Sequence, residues 1–422
     1  MSLHGDGAWY AALFQREGHD VYYTLYDERY AGYLAGIAPE PIIVAKNEAY
    51  YPELYDLIVF DLSGAGKAAD HARTISPTIG GSTLADELEH NRTFGLEYMQ
   101  KCGISVPPYE VFTDPAEGIR YLKKTKKRTV FKPCGENDCS VTYVSKSHED
   151  MIRFMDVLFR KTQVKEYVLQ QYVKGAEIST EMWVNESGYY LPNHTLETKK
   201  LMAGDIGPAT GCAGNVCWIP MGETAAFRRG LKLAADRLIQ DGYVGPIDLN
   251  CIATEDEIYG IEWTPRFGYE GTCNLTRLLP IPFGQFLYRV ALGERADNLI
   301  PANSFAASIR ISVPPYPLED APRRLYGEGI PIQGIDLERD LPNFFLQDVR
   351  RVPDSDELET AGVSGFVGAP IGVGETMFAA FDSVKQKIRS LQIPDMMWRN
   401  DVDEVCLNRY KVLELGGWLR TA

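Results

Sequence analysis

The order of predicted elements over residues 129–184 constrains the fold of this chain more than any other feature. The apolar pattern predicts, in order, strands at 129–133 and 141–144, a helix at 151–162, and strands at 167–172 and 178–184. A tight Lys174-Gly175 turn separates the last two strands. This order describes a small α+β unit, which we expect to be inserted within a larger domain.

The first 90 residues alternate short apolar strands with helical segments. The pattern predicts a helix at 8–16 and strands at 20–24, 41–44 and 56–61. Such alternation is typical of βα domains with a parallel sheet. A Gly5-Asp6-Gly7 turn precedes the helix without a clear strand before it, so either a strand is missing or residues 1–4 supply a short one.

Later segments predict longer helices and further strands. A helical period covers 82–102, and a glycine follows it at 103. The pattern then predicts a helix at 227–240, a hairpin of strands at 246–253 and 259–263, a strand at 308–313 and a helix at 378–390.

Composition and charge restrict the class of protein. A chain of 422 residues with 45% hydrophobic and 24% charged residues is a globular protein of two to four domains. Its formal net charge of −15 repels phosphate backbones and anionic lipid, so we expect neither a nucleic-acid nor a membrane partner. No apolar run approaches the roughly 20 residues of a membrane helix, and no signal peptide is recognisable.

The eight cysteines lack the two-residue spacing of zinc and redox motifs. This pattern favours reduced thiols in a cytoplasmic protein. We expect a monomer or a small homo-oligomer that acts on small molecules.

The α+β unit carries two charged side chains at positions where charge is unusual. Lys132 lies inside an apolar strand, where a cation needs an anionic partner or an outward-facing position. A polar loop follows it, which suggests phosphate binding. Glu177 follows a tight turn at the start of a strand. Taken singly, each residue is more readily explained by structure than by function.

Residues 196–220 are the most informative stretch of the sequence. Four glycines between 204 and 214 predict an extended loop, with Glu197 and Lys199 ahead of it. Glycine lets main-chain N–H groups approach a ligand closely. A long surface turn would have the same composition, so the stretch alone does not identify a site.

The predicted hairpin carries a set of oxygen ligands. Because side chains alternate along a strand, Asp248 and Asn250 share one face. Glu262, at the end of the partner strand, can join one of them as a ligand of Mg²⁺. Arg266, four positions on, can meet a carboxylate or phosphate. The alternative is an exposed hairpin with ordinary charges.

In this order, the motifs resemble the ATP-grasp fold, and more closely the glycinamide ribonucleotide synthetase (phosphoribosylamine–glycine ligase) family. Residues 196–214 run in step with the glycine-rich segment of that family, matching it at Gly204-Asp205, Gly207-Pro208, Thr210-Gly211 and Gly214. Residues 262–268 resemble its Glu-Phe-Asn-x-Arg-Phe-Gly motif. Residues 5–7 and 397–402 are similar to its N-terminal glycine turn and its C-terminal Tyr-Arg-x-Asp-Ile motif.

The resemblance implies an α/β fold in three parts. An N-terminal Rossmann-like βα domain would cover residues 1–90. A central ATP-grasp domain would cover 91–302, with a small lid subdomain at about 116–184. A C-terminal β-rich α+β domain would cover 303–422.

The resemblance also implies an ATP site. Lys132 would neutralise a phosphate, and the loop 134–140 would close over the phosphates as part of a mobile lid. Arg92 lies near the position of a lysine that family members carry before the lid. The adenosine would be bound by Gln170, Gln171, Val173 and Glu177, with Glu177 on the ribose hydroxyls.

The metal ligands follow from the same resemblance. Glu262 would hold Mg²⁺ or Mn²⁺, with Asp248 or Asn250 as a second ligand. Thr264 stands where the family has its metal-binding Asn, and it is a weaker neutral ligand.

The implied substrate groups lie on three segments. Arg266 and Lys199 would contact the acyl phosphate or carboxylate as catalytic residues. The other substrate-binding residues would be Gly5, Gly7, Glu197, Thr210 and Gly211.

The resemblance implies an ATP-dependent ligase that joins a small amino acid to an amine through an acyl phosphate, most like phosphoribosylamine–glycine ligase of purine biosynthesis. Trp9 and Tyr10 stand near the position of an Arg-Glu-His sequence in the family, and they would suit a flatter, less charged amine. A ligase for a different amine is therefore the first alternative. The acidic lid loop and Thr264 leave open a second, a nucleotide-binding protein without turnover.

Overall fold

The computed structural model describes residues 1–44, 51–134, 142–162, 164–295, 299, 303–318 and 327–421. In its first part, two pairs of parallel strands alternate with helices. The elements are β1 (Thr24–Leu25), β2 (Ile42–Ile43), β3 (Ile58–Val59), β4 (Thr78–Ile79), α1 (Gly7–Arg16), α2 (Gly66–Arg73) and α3 (Thr83–His90). The predicted helix at 8–16 is confirmed, and the strands predicted at 41–44 and 56–61 are present but shorter. The strand predicted at 20–24 overlaps β1 only at Thr24.

Residues 1–4 supply the short strand before the first turn. Ser2 forms a parallel bridge with Leu25, and the Met1 amine donates a hydrogen bond to the Val59 carbonyl at 2.8 Å. The turn that follows requires glycine at position 5, because φ is +83° and a Cβ would lie 2.6 Å from the Tyr33 ring.

The predicted single helix over 82–102 is wrong, because the helix is interrupted at Asn91. α3 ends at His90, and α4 (Arg92–Lys101) begins immediately afterwards. The Asn91 side chain accepts a hydrogen bond from the Phe94 amide at 3.1 Å. Such a cap satisfies a free N–H at a helix start and so favours a new helix.

A separate four-stranded antiparallel sheet with two helices follows. Its elements are β5 (Tyr109–Phe112), α5 (Pro115–Thr125), β6 (Thr129–Cys134), β7 (Tyr143–Val144), α6 (His148–Lys161) and β8 (Glu166–Gln171), with strand order β5-β8-β6-β7. It has its own apolar core around Phe131, Met155 and Tyr167. The predicted α+β unit is thus present, but its predicted last strand at 178–184 belongs to another sheet, described next.

The remaining strands build most of the rest of the molecule. They are β9 (Ala176–Asn185), β10 (Gly188–Met202), β11 (Ile206–Trp218), β12 (Gly245–Ala253), β13 (Ile258–Thr264), β14 (Phe305–Ile309), β15 (Ile311–Ser312), β16 (Glu328–Ile332), β17 (Phe344–Leu346), β18 (Val349–Arg351), β19 (Leu358–Ala361), β20 (Phe366–Gly374) and β21 (Met397–Trp398).

Ten of these strands form one antiparallel sheet. Its order is β13-β12-β9-β10-β11-β14-β20-β15-β21, and β17 also pairs with β20. A three-stranded sheet has the order β16-β19-β18. The α/β class is confirmed. Because β14 pairs with β11, the large sheet continues past residue 302, and the domain boundary there stays a prediction.

The helices that cover the large sheet follow in chain order. They are α7 (Ala225–Arg229), α8 (Ala235–Gln240), α9 (Glu270–Thr276), α10 (Phe283–Ala291), α11 (Leu337–Asp340), α12 (Met377–Ser390) and α13 (Val402–Leu415). The predicted helix at 227–240 is divided at Gly230, whose φ of −113° and ψ of −110° are not helical. Within the described ranges, no helix is long and apolar enough to cross a membrane.

The glycine-rich stretch is not the extended loop that the sequence predicts. It is the β10–β11 hairpin, in which Thr198 lies opposite Gly214 and Met202 lies opposite Ile206. Glycine disfavours strands because it has no side chain to pack. Here β9 and β14 pair with the base of the hairpin, at residues 188–195 and 214–218, and β10 and β11 pair with each other up to the turn.

Candidate functional site

The four-stranded sheet contacts the β13 edge of the large sheet, where a small cleft is lined by residues of β9, β10, β12 and β13. Lys132 on β6 is only 3% exposed, and its Nζ donates a hydrogen bond to the Ile261 carbonyl of β13 at 3.1 Å. Arg92, the first residue of α4, places Nη1 3.4 Å from Glu262 Oε2. The two predicted nucleotide-binding cations therefore lie beside the predicted metal ligand.

Glu262 is a carboxylate held in its ionised form. Burial acts to raise its pKa, but three neighbouring cations outweigh this effect and hold the pKa at about 2. In order of effect, the cations are Arg92, Lys132 and Lys199. The Glu262 side chain is 43% exposed, so a ligand in the cleft can reach it.

The pKa of Lys132 is shifted toward the neutral form of the amine. Burial and, after it, the charge of Arg92 lower this pKa to about 7, while Glu262 acts to raise it. An anion bound next to Lys132 would favour its charged form. The position is therefore suited to a phosphate.

Lys199, on β10, faces several acids. Burial acts to lower its pKa, but the surrounding carboxylates raise it overall. In order of effect they are Glu177, Glu197, Glu262 and Asp248. Burial in turn raises the pKa of Glu197. Lys199 and Glu197 therefore lie in the same cleft as Glu262, where the sequence predicts them.

The predicted metal ligands on the hairpin lie together. Asn250 is opposite Glu262 and Asp248 is opposite Thr264 in the β12–β13 register. The Asn250 amide donates to Asp248 Oδ1 at 3.0 Å and to Thr264 Oγ1 at 3.3 Å. Its Oδ1 accepts a hydrogen bond from Ser179 at 2.9 Å. Thr264 and Asp248 are thus already linked through Asn250.

Asp248 lies in an acidic environment. Its pKa is raised well above the usual range by burial and by the neighbouring Glu181 and Glu197. Glu181 lies opposite Asp248 on β9, and burial raises the pKa of Glu181 to about 7. A divalent cation near these acids would lower both pKa values, so the donor set fits a hard cation.

The protein alone offers few ligands for such a cation. Among the residues that the structure describes, no group of three His, Cys, Asp or Glu side chains is arranged to hold a metal ion. Mg²⁺ commonly binds one or two carboxylates and completes its shell with water and substrate phosphates. The hairpin is consistent with that kind of shared site.

The predicted adenosine-binding residues lie at the end of β8 and the start of β9. Gln170 is 2% exposed, and its Nε2 has no hydrogen-bond partner within the described ranges. Gln171 instead accepts a hydrogen bond from Lys127 at 3.1 Å. Val173 is half-buried and Glu177 is exposed.

Arg266 pairs with a carboxylate other than Glu262, although its charge also acts on Glu197 and Asp248. Its Nε donates to Glu89 Oε1 at 2.9 Å, and its guanidinium stacks over the Tyr269 ring at 4.9 Å. Burial acts to lower the pKa of Arg266, but Glu89 and Tyr269 raise it overall. The sequence places Arg266 near Glu262, whereas the structure assigns it a carboxylate partner on α3.

The predicted substrate-binding glycines lie at the start of α1, next to two buried acids. The Gly7 amide donates to Ser2 Oγ at 3.2 Å, and that hydroxyl donates to Asp61 Oδ2 at 2.7 Å. Burial, with the charge of Asp61, raises the pKa of Asp6 to about 7. Gly7 and Asp61 also line a cavity of about 810 Å³ between β1 and β3. The turn therefore has a carboxylate beside its main-chain donors.

Trp9 does not line the cavity beside the turn, contrary to the sequence prediction, whereas Tyr10 does. They are 0% and 3% exposed. The Trp9 indole donates to the Leu341 and Phe344 carbonyls at 3.0 and 2.8 Å. They are core residues because the inner face of α1 packs against the C-terminal part of the chain.

Thr210 and Gly211, the last predicted substrate-binding residues, lie on β11. The Thr210 hydroxyl donates to the Lys199 carbonyl at 3.2 Å, and Gly211 has φ of +73°. Arg310 donates to the Thr210 carbonyl at 3.1 Å and pairs with Glu270 at 2.6 Å.

The buried Arg310–Glu270 pair was not predicted from the sequence. Its signal was available, because Arg310 lies between apolar residues in a predicted strand, as Lys132 does. Of the predicted lid loop, Cys134 is described, and residues 135–140 lie outside the described residues. None of the seven described cysteines forms a disulfide.

The turn of the β10–β11 hairpin is fixed by the C-terminal motif at 397–402. Arg399 is fully buried, and it pairs with Asp205 at 2.8 Å and with Asp401 at 2.6 Å. It also donates to the Lys200 carbonyl at 3.0 Å, while Asp401 accepts the Gly204 amide at 2.8 Å. One guanidinium thus connects both sides of the turn.

Replacing Arg399 with glutamine should lower the free energy of unfolding by about 2 kcal/mol, because two carboxylates lose a buried partner. The loss is moderate because one of them, Asp205, is half exposed and its ion pair is screened by solvent. Urea unfolding measures this change, and hydrogen exchange at Gly204 should accelerate. Arg389→Gln, at an exposed position on α12, is the matched control and should be neutral. Equal stability of the two variants would contradict the assignment.

Known proteins resemble this chain in sequence and in fold. Residues 90–272 match the family model described as phosphoribosylglycinamide synthetase, ATP-grasp (A) domain. Phosphoribosylamine–glycine ligase of Streptococcus pneumoniae strain R6 is 23% identical over 353 residues, which cover 81% of each chain.

Two solved structures extend the similarity to nearly the whole chain. Phosphoribosylamine–glycine ligase of Thermotoga maritima superposes with a TM-score of 0.72 at 21% identity, covering 95% of this chain and 100% of that one. The biotin carboxylase domain of Hydrogenobacter thermophilus 2-oxoglutarate carboxylase, in complex with ADP and magnesium, gives 0.63 at 13% identity, covering 99% and 95%. Residues 90–272 therefore resemble the ATP-grasp domain of the phosphoribosylglycinamide synthetases, and the chain as a whole is similar to phosphoribosylamine–glycine ligases.

Proposed function

We propose that this protein is an ATP-dependent carboxylate–amine ligase that acts through an acyl phosphate. One observation carries the proposal: within an ATP-grasp domain, an ionised Glu262 lies among Arg92, Lys132 and Lys199 in an accessible cleft. Arg92 and Lys132 are the cations that would contact the polyphosphate, and Glu262 is the carboxylate that would share its metal ion.

ATP would lie between the two sheets. Its phosphates would lie against Lys132 and Arg92, and its adenine near Gln170 and Val173. Glu177, which is exposed at the start of β9, would accept hydrogen bonds from the ribose hydroxyls.

Mg²⁺ would be held by Glu262, with Asp248, Asn250 or Thr264 nearby and phosphate oxygens in the rest of its shell. When bound, the ion would neutralise charge on the transferring phosphate. The acidic environment of Asp248 supports this placement.

The proposed reaction has two steps. A carboxylate oxygen of the amino acid attacks the γ-phosphorus of ATP, the bond to the β–γ bridging oxygen breaks, and ADP leaves. The amine nitrogen then attacks the acyl carbon, the bond from that carbon to the phosphate oxygen breaks, and the nitrogen loses a proton. Such chemistry depends on positioning and charge neutralisation, for which Lys199 and Arg266 are the proposed catalytic residues.

Glycine and phosphoribosylamine are the first substrates to test, because they are the pair named for the relatives. A different amine is the second candidate. It is favoured by Asp6 and Asp61, which place two acids at the turn where a substrate phosphate would otherwise meet free main-chain donors.

The test is ADP release with Mg-ATP and glycine, with and without phosphoribosylamine generated in the same tube. ADP formed only with both would support the reaction of the relatives. ADP formed with glycine alone would support the ligase with another amine and call for an amine screen. Nucleotide binding without ADP under any condition would refute the proposed ligase activity.

A further inference from the structure

The C-terminal helix α13 packs along β10 at the proposed nucleotide end of the cleft. Cys406 donates to the Leu196 carbonyl at 3.5 Å. Val402 lies so close to Gly214 that a Cβ there would be 2.9 Å from it. The helix therefore has a fixed position relative to the strand that carries Glu197 and Lys199.

Arg409 on α13 connects two neighbouring strands of the site. Its Nη1 donates to the main-chain carbonyl of Glu197 on β10. The same nitrogen lies 3.7 Å from Glu177 Oε2 on β9. The Arg409 side chain is 22% exposed, whereas that of Glu177 is 49% exposed. A more buried cation, which is held by a hydrogen bond to β10, thus faces a more exposed carboxylate.

Glu177 has few other means of fixing its orientation. Among the described residues, Arg409 is the only cation within ion-pair distance of Glu177. The Glu177 side chain forms no hydrogen bond with any of these residues. Lys132 and Lys199 act on it at longer range. A half-exposed glutamate without a partner populates several rotamers.

We propose that Arg409 is a positioning residue that orients Glu177 toward the ribose hydroxyls of the nucleotide. This inference rests on the proposed function, because it requires Glu177 to bind ribose. It assigns to the C-terminal helix a part in nucleotide selection. Arg409 would act through Glu177 and would not itself contact the reacting phosphate.

The test compares ATP with 2′,3′-dideoxy-ATP, which lacks the hydroxyls that Glu177 would bind. Titration calorimetry on the whole protein gives the Kd of each nucleotide. The Arg409→Gln variant should bind ATP about tenfold more weakly, the effect of losing a charge-assisted contact of average strength. Its Kd for dideoxy-ATP should match that of the wild type.

Two variants serve as controls. Lys411→Gln removes an exposed cation from the same helix and should leave both Kd values unchanged. Arg409→Lys, which keeps a positive charge at the position, should restore part of the preference for ATP. With turnover as the readout, Arg409→Gln should raise KM for ATP and leave kcat within about twofold.

The outcomes separate this inference from the proposed function. Equal weakening of both nucleotides by Arg409→Gln, or no weakening of either, overturns the role of Arg409 and leaves the ATP site intact. Wild-type protein that does not discriminate between the two nucleotides, or a Glu177→Gln variant that still does, overturns the ribose role of Glu177 and this inference with it. Absence of nucleotide binding overturns the proposed function itself.

Discussion

Glu262→Gln should reduce ATP turnover by on the order of 10²- to 10³-fold while the protein still folds. The carboxylate is the proposed metal ligand, and glutamine keeps its shape but loses its charge. The variant loses the attraction of Glu262 to its neighbouring cations, but solvent screens part of it, because the side chain is 43% exposed and the ion pair with Arg92 is 3.4 Å long. The measurement is steady-state ADP release, accompanied by a thermal melt.

The matched control for this variant is Glu255→Gln, at the exposed turn of the same hairpin. The control should retain wild-type turnover and melting temperature. Full activity in Glu262→Gln would show that this carboxylate is not required, and the proposed metal site would have to be abandoned. A large drop in melting temperature would instead indicate a structural role.

The Lys132→Ala variant should bind ATP about 10- to 100-fold more weakly than the wild-type protein. The expected loss is that of one charge-assisted contact to phosphate, in a site where the lysine is 3% exposed. The protein should still fold, because burial already disfavours this charge and, among the described residues, the one hydrogen bond of the Lys132 amine is to the Ile261 carbonyl. Calorimetric titration with a non-hydrolysable ATP analogue measures the affinity directly.

Lys123→Ala is the matched control, since it removes an exposed lysine from α5 next to the same sheet. It should bind the analogue as the wild type does. If Lys132→Ala has the same affinity as this control, Lys132 does not contact phosphate. Its burial would then be a structural feature of the contact with β13.

Local elements were largely predictable from the sequence, and the errors have specific causes. The pattern identified β6, β8, β12 and β13 because apolar alternation is a local property. It missed the break at Asn91, where a side-chain cap outweighs a continuous helical period. It also took the β10–β11 hairpin for a loop, because glycine composition does not reveal that the two segments pair with each other.

The candidate site was predictable to a similar degree. Lys132 was singled out because a cation in an apolar strand needs a partner, and Asp248 and Asn250 because strand alternation places them on one face. The sequence by itself thus determined which residues carry charge in unusual places. It also determined which elements hold them, because both depend on residues close together in the chain.

Only the tertiary structure decided which of these residues meet. Glu262 pairs with Arg92, 170 positions earlier in the chain, and Arg266 pairs with Glu89 instead of joining them. Trp9 is in the core because the C-terminal part of the chain packs over α1, and Arg409 reaches Glu177 because α13 lies along β10. The physical reason is the same throughout: such contacts depend on how distant elements pack, and no local period in the sequence records that packing.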